Sequence, residues 1–182
     1  GHSYNITSVA FSPDGSKVLT GGEDGLSMAW EICAPRAVIV AGGGDFLGNG
    51  IAQQTNDLGA YAYKTLRGRG YEAGDIQYLT AFGPTDPGDR AKPFRDADGD
   101  GINDVDAWAT LDNLEQTLTG DFATSAGRLL IIMVDHGNST QNFMTFRVNE
   151  NQVVASTQID EWLDALQSAH PVDVTLVVDC CY

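Results

Sequence analysis

Four runs of apolar residues punctuate the chain after residue 35: Arg36–Val40 ("RAVIV"), Ile76–Thr80, Leu129–Val134 and Val174–Val178. They do not alternate with polar residues, so each reads as a strand buried on both faces. Amphipathic stretches separate them. Ile51–Arg69 is predicted helical, with Leu58, Tyr61, Ala62 and Leu66 on one face and Gly70 ending it. Thr110–Leu118 follows the same rule through Leu111, Leu114 and Leu118. Thr157-Gln158-Ile159-Asp160 is a capping-box pattern opening a third helix that buries Ile159, Trp162, Leu163 and Leu166. Phe143–Ala155 is predicted to be a hairpin turning at Asn149-Glu150-Asn151. Apolar strands alternating with helices define an α/β domain with a mostly parallel sheet covered on both faces.

The first 32 residues have a different rhythm. Ser8–Phe11, Lys17–Thr20 and Leu26–Trp30 are short strands, separated by Pro13-Asp14-Gly15 and Asp24-Gly25 turns. "CAPRA" at 33–37 marks the change of character, and Pro35 is expected to break any strand there. The division is thus 1–32, a linker at 33–36, and an α/β domain at 37–182.

The net charge of −15 disfavours a phosphate backbone or an anionic membrane as partner. No segment is long and apolar enough to span a bilayer, and no signal peptide is visible at the N-terminus. The three cysteines are Cys33, Cys180 and Cys181. An odd count with two adjacent members does not form a disulfide framework.

Two of the apolar strands end in reactive residues. "RLLIIMVDHGNS" runs into Asp135-His136-Gly137, and "DVTLVVDCCY" into Asp179-Cys180-Cys181. In an open α/β sheet, functional groups gather past the carboxyl ends of the strands. A histidine beside a cysteine generates a thiolate nucleophile. A following glycine lets a backbone N–H approach a developing oxyanion. A structural cysteine and a loop histidine are the plain alternative. "AGGG" at 41–44 lacks the Gly-Lys-Ser/Thr ending of a phosphate loop and reads as a substrate-side loop.

"DADGDGINDVD" at 96–106 places Asp96, Asp98 and Asp100 at alternate positions, with Gly101 for a sharp turn, the Ile102 carbonyl next, then Asp104. Such an oxygen-rich array suits Ca²⁺. Ala107 stands where an EF-hand has its bidentate glutamate, and Asp106 is the substitute. The ion's expected role is structural, tying down a long loop. Extracellular calcium levels would suit it, which favours a secreted, periplasmic or cell-surface location.

Two resemblances attach to these motifs. The Gly1-His2 start, "SVAFSPDGSKVLTGGEDG" and Trp30-Glu31 resemble one WD40 repeat. This implies an antiparallel blade, the last of a propeller whose other blades precede Gly1, and protein partners bound through it. A catalytic His2–Asp24 pair is disfavoured against hydrogen bonding that supports the blade. "RAVIVAGG", "GAYAYKTLRGRGYEAGDIQYLTA", "LLIIMVDHGNS" and "VTLVVDCCY" resemble the blocks of a legumain-type cysteine peptidase, in the clan that also holds caspases and metacaspases.

That resemblance implies a caspase-like three-layer sandwich and a cysteine endopeptidase acting on peptide or protein substrates. His136 is then the general base, Cys181 the nucleophile and Gly137 an oxyanion donor. Cys180 takes the small-residue place, and Asp179 and Asp135 face the substrate. The family's Arg-His pair that helps bind a substrate asparagine is replaced by Ala52-Gln53, and Gly44 stands where its members have an asparagine. The 182-residue piece is expected to be inactive by itself. The alternative function is a non-catalytic, calcium-stabilised interaction module.

Overall fold

The computed structural model describes residues 1–13, 17–31, 34–86, 88–89, 91–139 and 143–180. They fall into two compact units, Gly1–Ala34 and Pro35–Tyr182. The expected Pro13-Asp14-Gly15 turn falls partly on residues 14 and 15, outside the described set.

The first unit is a three-stranded antiparallel sheet in sequential order: β1 (Ile6–Phe11), β2 (Lys17–Gly22) and β3 (Ser27–Glu31). Asp24-Gly25 makes the second turn, where Gly25 takes a positive φ of 76°. His2 and Asp24 form a hydrogen-bonded support: Nδ1 lies 3.0 Å from the Asp24 carboxylate, and Nε2 lies 2.8 Å from Thr20 Oγ1. Trp30 Nε1 donates to the same hydroxyl. The imidazole ties the N-terminus to β2 and to the turn that follows it. Val9 and Phe11 on β1 are exposed, at 58% and 70%.

The second unit is built on a five-stranded sheet. Its strands are β4 (Pro35–Ala41), β5 (Ile76–Thr80), β6 (Ala107–Trp108), β7 (Arg128–Val134) and β11 (Asp173–Asp179), in the order β11-β7-β4-β5-β6. Every pairing is parallel. One face packs on α1 (Ala52–Gly68) through Ala37, Ile39, Tyr78, Tyr63 and Leu66. The opposite face packs on α2 (Leu111–Thr119), α3 (Asp121–Thr124) and α4 (Ser156–Ala169) through Val38, Ile131, Met133, Leu118 and Trp162. A second antiparallel sheet, β8 (Gly137–Ser139), β9 (Met144–Asn149) and β10 (Gln152–Ala155), turns where the Asn149–Asn151 signal predicts.

Four expectations are corrected. Pro35 begins β4 instead of breaking it, since a first strand residue can forgo its N–H. On α1 the buried face runs through Thr55, Gly59, Ala60, Tyr63 and Leu66, while Leu58 and Tyr61 are exposed at 43% and 70%. Small residues carry this contact because the helix lies close to the sheet: a Cβ on Gly59 would come within 2.5 Å of the Tyr78 hydroxyl. Finally, α4 starts at Ser156 with no side-chain cap, and the Ser156 hydroxyl accepts the Met144 N–H instead. The α2 boundary shifts by one residue: Thr110 is its N-cap, accepting from the Asn113 N–H at 3.2 Å.

Candidate functional site

Parallel pairing of β7 and β11 sets Val134 opposite Asp179. The Asp135 N–H then donates to the Asp179 carbonyl at 3.2 Å, so the two strand ends stay side by side. His136 and Cys181 each follow this matched pair by two residues along their own strands. Cys181 itself lies outside the described residues. Cys180 is half-buried and packs against the core on the α4 side.

His136 is held by Asn49. Its Nε2 lies 3.1 Å from Asn49 Oδ1. The amide orientation follows from its other partners: Nδ2 donates to the Gly44 carbonyl at 2.7 Å, and Oδ1 also accepts the Ile51 N–H. With an oxygen facing Nε2, that nitrogen carries the proton, and the lone pair of the neutral ring sits on Nδ1. Asn49 was absent from the sequence-based set of site residues. It lies 87 positions from His136, and only the "NG" turn signal at 49–50 marked it. Gly137 opens β8 in register with Phe146, so its backbone belongs to the hairpin sheet.

Asp135 is buried, with 2% of its surface exposed. One oxygen accepts the His136 N–H, and the carboxylate lies beneath the Cα of Gly43 beside the Thr55 side chain. Burial pushes this carboxyl above its ordinary value, partly offset by the His136 N–H, by the charges of His136 and Arg147 and by a hydrogen bond from the Thr55 side chain. A folded state that holds a proton more tightly than the unfolded chain gains stability at low pH, and the gain is lost as pH rises through the raised pKa. Asp135→Asn removes the ionisable group. Its stability relative to the parent should therefore rise between the ordinary carboxylate pKa and the raised one, and be flat below. Urea unfolding at a series of pH values reads this; a pH-independent difference would contradict it.

In the acidic loop, Asp96, Asp98 and Asp104 each bring one oxygen within 4.8 Å of the others. Asp100 stands outside this group and accepts the Ile102 N–H at 2.8 Å. Asp106 turns away from the loop to accept the Tyr78 N–H at 2.8 Å. Arg67 Nε lies 3.5 Å from Asp98, a positive charge already at the cluster's edge. The loop is also pinned by Asn103, which donates to Asp86 and the Pro93 carbonyl and accepts the Arg95 and Val105 N–H groups. The loop thus carries internal ties independent of an ion. Three carboxylates form a partial oxygen shell that fits Ca²⁺ only if backbone carbonyls or water complete it.

The family described as "WD domain, G-beta repeat" matches residues 1–31. A periodic tryptophan protein 2 homolog from Dictyostelium discoideum is 60% identical over 30 residues, which is 16% of this chain and 3% of that protein. Among solved structures, the Drosophila initiator caspase Dronc aligns with a TM-score of 0.41 and 7% identity, covering 78% of this chain and 47% of that one. The chain therefore spans only a small part of the curated relative it matches. The molecule combines a WD repeat with a mixed α/β unit built on a parallel sheet. Among the described residues, no helix is long and apolar enough to cross a membrane.

Proposed function

We propose that the α/β unit is the catalytic domain of a legumain-like cysteine endopeptidase in which His136 activates Cys181. The WD repeat ahead of it would belong to a propeller blade that recruits protein partners. The observation that carries this reading is the shared end of β7 and β11, where Asp135-His136 and Asp179-Cys180 emerge from matched register, with Cys181 next in the sequence. Asn49 orients the imidazole, leaving Nδ1 as the basic nitrogen. In this mechanism Nδ1 takes the thiol proton, the thiolate adds to the scissile carbonyl, and the imidazolium returns the proton to the leaving amine. Gly137 is the proposed oxyanion donor. Cys180, packed against the core, is a structural residue.

The test is labelling of the full-length protein by a thiol-directed peptide probe. Cys181→Ala should abolish labelling and Cys180→Ala should largely spare it. The reverse pattern would refute the assignment.

A second reading is a non-catalytic, calcium-stabilised interaction module, favoured by the WD repeat and by the carboxylate group at 96, 98 and 104. In both readings Asp96, Asp98 and Asp104 would hold a structural Ca²⁺. An ion that binds only the folded state stabilises it by about 2.7 kcal/mol at roughly a hundred times its Kd. Millimolar calcium should therefore raise Tm by several degrees over chelator. Asp96→Asn should remove most of that increment. Equal melting temperatures in calcium and chelator would count against the ion.

A further inference from the structure

One asparagine in the chain is followed by glycine: Asn49-Gly50. The nitrogen of the next peptide bond can attack an asparagine side chain, and glycine leaves that nitrogen uncrowded. Whether it does so depends on whether the fold holds the amide toward that nitrogen. Here the amide is held toward it. Oδ1 accepts the N–H of Ile51, two residues on, at 3.2 Å. This turn through the side chain folds Cγ back over the peptide bond that joins Asn49 to Gly50. The same oxygen faces the protonated Nε2 of His136 at 3.1 Å. Two N–H groups therefore point at the atom on which negative charge develops when Cγ is attacked, the arrangement that stabilises an oxyanion. Nδ2, the leaving nitrogen, donates to the Gly44 carbonyl at 2.7 Å, which favours the positive charge it acquires on leaving. Gly50 is exposed, and a Cβ built on it would meet nothing within 4 Å, so solvent reaches its N–H. Asn56 provides the contrast: Asp57 follows it inside α1, where helical hydrogen bonding commits the next peptide nitrogen.

We infer that Asn49 is a self-modification site: it loses its side-chain amide to the Gly50 nitrogen through a succinimide, and the change loosens the support of His136. Hydroxide takes the Gly50 amide proton, and the nitrogen bonds to Cγ of Asn49. The Cγ–Nδ2 bond then breaks, and Nδ2 takes a proton from water and leaves as ammonia, which restores the hydroxide. Water opens the cyclic imide at either carbonyl. One product is aspartate, which keeps an oxygen against Nε2. The other is isoaspartate, which routes the main chain through Cβ and carries the oxygen away from Nε2. Both lose the donor that Nδ2 offers to the Gly44 carbonyl. The consequence for peptide cleavage rests on the proposed roles of His136 and Cys181; the modification itself does not.

The experiment incubates the full-length protein at mildly alkaline pH and follows the tryptic peptide 37–64 by mass spectrometry. That peptide carries both Asn49 and Asn56, and fragmentation separates them. The expected result is conversion of amide to acid at Asn49 at least as fast as in a synthetic peptide of residues 46–53, with Asn56 unchanged. Gly50→Ala should slow it about tenfold or more, since a Cβ crowds the attacking nitrogen. His136→Phe keeps a ring without a donor and should slow it about tenfold by removing one of the two N–H groups from Oδ1. An Asn49 amide that outlasts the synthetic peptide would overturn the proposal, because the fold would then protect it. A rate untouched by His136→Phe in a variant that melts like the parent would overturn it too. If that variant does not fold, the comparison of folded protein with peptide decides alone. Labelling by a thiol-directed peptide probe should fall in proportion to the isoaspartate at position 49. Amide loss with labelling unchanged would overturn the loosening of His136. Labelling absent from the fresh protein would count against the peptidase and leave the modification standing.

Discussion

Gly43→Ala is expected to destabilise the α/β unit by roughly 2–5 kcal/mol, the sum of a left-handed backbone penalty and an overpacking cost. Gly43 has a φ of +79°, a conformation that L side chains rarely adopt. A Cβ there would also overlap both oxygens of Asp135, which is buried and held from the other side by the His136 N–H. Neither partner has room to give. Gly48 supplies the control: its φ is +106°, but a Cβ would meet nothing within 4 Å. Gly48→Ala should therefore show the backbone cost alone, about 1–2 kcal/mol. The difference between the two urea midpoints measures the overlap with Asp135. If the two variants unfold together, Asp135 does not fill the space beneath Gly43.

The second large effect concerns the imidazole. On the proposed peptidase reading, His136→Ala in the full-length protein should lower kcat for peptide cleavage by a factor on the order of 10²–10⁴, the usual contribution of a positioned general base. Asn49→Ala should cost less, because it removes a positioning residue and leaves the base. Its diagnostic is the split between kcat and KM. With Oδ1 gone, the imidazole loses the contact that orients it, so kcat should fall while KM stays near the parent value. An Asn49 that only supports the fold would lower the melting temperature with the rate. Asn49→Asp keeps an acceptor oxygen at Nε2 and should recover much of the rate.

The parts of this fold that show in the sequence are those whose signal is local. Four strands of the parallel sheet are continuous apolar runs, and their observed limits lie within a residue or two of the predicted ones. The two-residue β6 and the three-residue β8 have no such run and exist only through pairing with β5 and β9. The buried face of α1 was hidden for another reason. Its contact is made by Gly59, Ala60 and Thr55, so a search for large apolar residues selects Leu58 and Tyr61 on the wrong side. At the site, His136 and Asp179 are legible because strand ends collect chemistry. A cavity beside them is not, since it is lined by residues from Ile51 to Cys180, up to 129 positions apart (180 minus 51). The inward turn of Asp135 and the outward turn of Asp106 are side-chain choices set by their neighbours, which spacing does not encode.

The strand that opens the α/β unit, β4, is also the middle of its sheet, matched over seven residue pairs with β7 and five with β5. A tether ahead of Pro35 therefore pulls on the most deeply anchored strand, along its own axis. Under tension its bonds to both neighbours are loaded together in shear, and they cannot open one at a time as at a free edge. Force applied from the N-terminal side of this unit should therefore meet more resistance than force applied to β11, which among the described residues pairs with β7 alone.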